Sequence, residues 1–129
     1  MQRIKQIAFI LLSLAALFFL FLVLRPLPRA NPDHCSLVEG IVARIYEAGT
    51  QDIVFKLQGN TVNYYINRGL EHGLDLALLR QSLADQEVSI YYLKHWTPLD
   101  PNDQVKHIAR LELGQEVIYD EMEESTPQR

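Results

Sequence analysis

Cysteine is almost missing from this 129-residue chain: Cys35 stands alone, so no intramolecular disulfide can staple the fold. Its thiol either pairs with a second chain in an oxidising compartment or stays idle near the start of the first strand, and the idle thiol is the simpler reading. Lipid attachment is set aside, because Pro32-Asp33-His34 lacks the small and apolar residues that a bacterial lipoprotein signal places before its cysteine. Catalytic signatures are missing too. No Gly-x-Ser-x-Gly elbow is present. His34, His72, His95 and His107 are too scattered for paired metal ligands. Glu121, Glu123 and Glu124 fall in a polar tail that could not hold a proton-transfer geometry, and Glu71 or Asp75 is more simply a charge at a helix start. Neither enzymatic activity nor a cofactor or metal is expected.

Basic charge is scarce over most of the chain. The whole carries net charge -4, but from Pro26 onward nine Lys and Arg face sixteen Asp and Glu, so this part stands at -7. Nucleic-acid affinity rests largely on Lys and Arg neutralising phosphates, and an acidic domain works against it. Nucleic acid is not expected as a partner.

What the chain does have is one long apolar run. Ile7 to Leu24 reads IAFILLSLAALFFLFLVL, with no charge and Ser13 as its only hydroxyl. As a helix it would be about 27 Å long, close to the roughly 30 Å hydrocarbon thickness of a bilayer. Arg3 and Lys5 precede the run and Arg25 follows it, each able to snorkel to the headgroups, while Pro26 and Pro28 end the helix. A signal-peptide apolar region is usually shorter, and Pro-Arg-Ala at 28–30 makes a poor cleavage site. A buried core helix would show a polar face. Residues 1–25 are therefore expected to be an uncleaved transmembrane anchor in the plasma (inner) membrane. The basic residues before the run slightly favour a cytoplasmic N-terminus, which places the acidic domain outside the cytoplasm.

Residues 26–34 hold three prolines and read as an extended spacer lifting the domain off the membrane. The domain is expected over 35–119. Ser36–Tyr46 is a long strand with Leu37, Ile41 and Ile45 on one face and Val38, Val42 and Tyr46 on the other; with Gly40 inside, it should bend and serve two parts of a curled sheet. Asp52–Leu57 alternates cleanly, Gly59-Asn60 closes a hairpin, and Thr61–Ile66 follows. The period then changes: Leu76, Leu79 and Leu83 share a helical stripe of about three turns, with Asp75 as N-cap. Glu87–Leu93, then Val105–Leu113 with His107, Ala109, Leu111 and Leu113 aligned, and Val117–Tyr119 complete the pattern. Residues 120–129 are expected to be an acidic disordered tail.

Three strands, one helix and two or three further strands resemble the OB-fold, a small Greek-key barrel with its helix between the third and fourth strands. The segments Tyr64-Tyr65-Ile66-Asn67-Arg68-Gly69-Leu70 and Trp96-Thr97-Pro98-Leu99-Asp100-Pro101 also resemble those of uncharacterised bacterial membrane-anchored proteins with a small domain of this kind. That resemblance implies a fold and a location, and supplies no function.

Two loops offer binding surface. Arg68, beside Tyr65, could take a carboxylate by bidentate hydrogen bonds, against the simpler reading of an Arg paired with Glu71 or Asp75 to hold its turn. His95-Trp96, among prolines and aspartates, either anchors a partner or folds back to plug the barrel. With Tyr91, these residues form the expected surface: Tyr65, Arg68, Tyr91, His95 and Trp96. The leading expectation is a non-enzymatic, membrane-tethered interaction module with an envelope protein as partner. The alternative is a small-molecule or carbohydrate binding domain that stacks its ligand on exposed aromatics among Tyr64, Tyr65, Tyr91, Tyr92 and Trp96. Nothing in the pattern fixes an oligomeric state.

Overall fold

The computed structural model describes residues 1–28 and 30–122. The chain is mainly β behind an N-terminal apolar helix. Helix α1 (Gln2–Leu24) buries none of its residues, and by length and composition it could cross a membrane. It ends where Arg25 turns to ψ 125, since the ring of Pro26 disfavours helical backbone in the residue before it. A single 3₁₀ turn over Pro32–His34, capped by the Asn31 side chain, leads into the sheet.

Strand β1 (Cys35–Ala48) carries two neighbours along its length, β4 (Glu87–Leu93) on its first stretch and β2 (Asp52–Leu57) on its second. Bending is built into it. The pairing shifts between Val42 and Arg44, so Val42 and Ile45, three apart, both point inward. Leu37 and Ile41, expected to share a face with Ile45, are instead 49% and 40% exposed. At Gly40 an added Cβ would lie 3.0 Å from Leu57 Cδ1, so a larger residue at the bend would press on the next strand.

β2 pairs with β3 (Asn63–Ile66), which runs parallel to β5 (Val105–Leu113). β5 pairs antiparallel with β4 and with β6 (Glu116–Asp120). The pairings lead from β1 through β2, β3, β5 and β4 back to β1. The space they enclose is filled by Ile53, Phe55, Ile66, Leu83, Ile90 and Ile108, all without solvent exposure. β3 starts two residues later than expected, because Asn60 Oδ1 accepts the Val62 N–H and holds that residue in the turn.

Helix α2 (Leu76–Leu83) is eight residues long, shorter than the three turns expected. It begins where the Asp75 carboxylate accepts the Leu78 N–H at 3.0 Å and presents Leu79 and Leu83 to the core. It stops at Ala84, which leaves helical ψ, and Asp85 follows with φ 61. Asp75→Ala should lower stability by about 1 kcal/mol, the usual worth of an N-cap, read as a shift in the urea midpoint.

β5 departs from strict alternation: Tyr91 faces Arg110 and Tyr92 faces Ile108, leaving Ala109 as an extra residue. His107, Ile108 and Ala109 are therefore buried in succession. The Ala109 carbonyl, turned out of the ladder, accepts the Glu121 N–H at 2.8 Å. Asp120 and Glu121, expected to belong to a disordered tail, are thus held against the sheet, and residues 123–129 of that segment lie outside the described residues. The proline-rich segment is packed as well, with Ala30 buried against Leu93 and Ala109.

Candidate functional site

A cleft of about 390 Å³ lies where α1 meets the domain. One wall comes from the end of α1 and the residues after it, Val23, Arg25 and Leu27, and the other from Tyr65, Leu93, His95, Leu99, Val105 and His107. The junction is fastened: Arg25 Nη2 donates to the Trp96 carbonyl at 2.8 Å, across 71 residues of sequence. Arg25, just before the proline-rich segment, is thereby held against the β4–β5 loop. The loop between β4 and β5 gains its shape from Asp100, whose two carboxylate oxygens accept the N–H groups of Gln104 and Val105 at 3.0 and 2.8 Å. Asp103 pairs with Lys106 beneath it.

The polar groups of the cleft have defined roles. Burial, then the negative charges of Asp52 and Glu121, push the Tyr65 phenol above its ordinary range, so it keeps its proton and can donate. Burial, then the Arg25 guanidinium, lower the His95 imidazole from 6.5 against the opposing pull of Asp103. At pH 7 His95 is therefore neutral and offers one donor and one acceptor. Thr97 Oγ1 accepts from the Leu99 N–H within its own loop.

Beside Tyr65 the ring of His107 packs edge-on at 5.3 Å, and its Nε2 lies 2.6 Å from Glu121 Oε2. A carboxylate only accepts, so Nε2 carries the hydrogen. Nδ1 of His107 is buried with no hydrogen-bond partner among the described residues. Sequence reasoning treated His107 as one more scattered histidine and Glu121 as tail, and so missed the pair. The available signal was a histidine on an inward-facing strand position, where a polar group needs a partner. Among the described residues, no three His, Cys, Asp or Glu side chains group as a metal centre would require.

Of the five expected surface residues, Tyr65 and His95 line the cleft, and Trp96 follows His95 in the loop that Arg25 holds. Trp96 neither plugs the sheet nor stands free: it is 44% exposed and its Nε1 donates to the Pro101 carbonyl at 3.2 Å, across its own loop. Arg68 is elsewhere, in the turn after β3 with φ 50, its N–H held by Asp52 and its guanidinium 3.9 Å from Glu71. Both side chains of that pair are largely exposed, which makes it worth little. Tyr91 opens onto a separate groove with Cys35, Leu37 and Arg110. The other tyrosines also diverge: Tyr64 is buried, its hydroxyl accepting from Asn60, and Tyr92 packs on it at 5.6 Å beneath Lys106. Cys35 is half-buried, and burial raises its thiol pKa.

No family model matches the chain, and no curated protein matches it either.

Proposed function

We propose that this chain is a non-enzymatic, membrane-tethered interaction module, held by α1 in the plasma membrane with its domain outside the cytoplasm. One observation carries the reading: the anchor's exit is part of the binding cleft, with Val23, Arg25 and Leu27 facing Tyr65 and His95. A tether that served only to hold the domain would need no share in its binding surface. The divergent tyrosines favour a protein partner over a carbohydrate stacked on converging rings. The acidic balance after Pro26 disfavours nucleic acid.

The domain is best read as a small closed barrel of the OB type. Support comes from the return of the pairings to β1, the parallel β3–β5 closure and the position of α2 between β3 and β4. The cleft then sits at one mouth of the barrel and α2 at the other, since β4 begins after α2 and ends at Leu93 in the cleft.

A photo-crosslinking amino acid placed at position 95 or 65 of the full chain, in its native membranes, is expected to give one discrete protein adduct. The same group at Gln81, exposed on α2, should give none. Equal labelling at all three positions would overturn the reading.

A further inference from the structure

We infer that the rim of the cleft, formed by Leu99, Leu27 and Val105, is seated together with the neighbouring Trp96 in the headgroup layer of the bilayer that α1 spans, so that the cleft opens at the membrane surface. This rests on the reading of α1 as an anchor. Three apolar side chains around one opening remain exposed although the domain has a filled core, Leu99 at 71%, Val105 at 46% and Leu27 at 45%, and Trp96, three residues before Leu99 in the same loop, is 44% exposed. A contiguous group of this kind marks a surface that something else covers.

The occupant follows from where the group lies. Val23 belongs to the last turn of α1, inside the apolar run, and it lines the same cleft as Leu99 and Val105. The hydrogen bond from Arg25 to the Trp96 carbonyl fixes the loop beside the first residue after the helix. Where α1 leaves the hydrocarbon, the loop is already alongside it, at the depth where Trp and Arg side chains collect in membrane proteins.

Charge does not oppose this placement, although the domain as a whole is acidic. Asp100 is engaged by two backbone N–H groups and Asp103 by Lys106, while Arg25 and Lys94 add positive charge nearby. The indole also has the right form. Its N–H is satisfied by Pro101 within the loop, so its apolar body can enter the interface without stranding a donor.

Trp96 is the chain's only tryptophan and reports its own depth. The full chain in phosphatidylcholine nanodiscs would be compared with lipids brominated near the headgroup or near the chain ends, and with aqueous iodide. The shallow bromolipid is expected to remove roughly half of the Trp96 emission, with the deep one and iodide removing much less, as suits an interfacial ring. Leu99→Asp should reverse the order of shallow bromolipid and iodide, while Leu78→Asp, on exposed α2, leaves it unchanged. Iodide quenching without bromolipid quenching, in a chain that resists carbonate extraction, overturns the inference and leaves the anchor standing. Shielding from both quenchers also overturns it, because protein then covers the rim. Release of the chain by carbonate overturns the anchor and this inference together.

Discussion

Phe55→Ala is expected to lower the unfolding free energy by about 3–5 kcal/mol, the range for deleting a fully buried phenylalanine. Phe55 has no solvent exposure and lies at the middle of β2, opposite Ile45 on β1 and Tyr64 on β3. It is paired on both sides, so neither neighbour can move in to fill the space without breaking register with its own strand. Interiors pack at crystal-like density, and a gap of this kind forfeits dispersion contacts as well as burial. A domain of this size usually holds about 5–15 kcal/mol in all, so the variant should be near its threshold. Urea unfolding of the full chain in detergent, followed by Trp96 and tyrosine emission, should show a large fall in midpoint at unchanged slope. Leu78→Ala, at a position 60% exposed, should shift it by no more than about 0.5 kcal/mol. Equal midpoints for Phe55→Ala and the parent would contradict the packing described for β2.

Much of this was legible along the chain because it depends on local pattern. Asp52–Leu57, Glu87–Leu93 and Val105–Leu113 form strands over the residues read from their apolar content and alternation. Asp75 caps the helix whose leucine stripe follows it. The misreadings arise where a partner strand decides. A one-residue irregularity swaps the faces of everything beyond it; Gly40 marks a bend near Val42 without fixing its register, and nothing in the residues near Ala109 announces one. Leu37 and Ile41 therefore do not share a face with Ile45, and Ile108 is buried between His107 and Ala109. The site was half-legible for a related reason. Tyr65 and His95 are aromatic or polar residues near turns, and the fold brings them to one opening, with Trp96 beside them in the loop held by Arg25. Arg68 and Tyr91 have the same character but not the same location, and residue type cannot tell the two cases apart. Arg25 was read only as a flank of the anchor, because its partner lies 71 residues away.

Glu121 shows how a missed contact becomes the second large expected effect. Glu121→Ala removes the one hydrogen-bond partner that the His107 ring has among the described residues, leaving both ring nitrogens without one at a position 6% exposed. Stranding a buried polar group costs about 1–3 kcal/mol, whereas removing both members of a pair can be nearly neutral. His107→Leu with Glu121→Ala should therefore lose less stability than the two single changes summed, with a coupling of about 0.5–3 kcal/mol between residues in direct contact. Urea midpoints of the four proteins measure it, and simple additivity would mean that the 2.6 Å contact does not hold the segment. The same four proteins separate a structural role from a binding one. His107 lines the cleft, so if it only pins Glu121 beside the Ala109 carbonyl, the double variant should restore both the midpoint and the adduct formed from position 95. A double variant that regains stability but yields no adduct would place the imidazole itself in the contact with the partner.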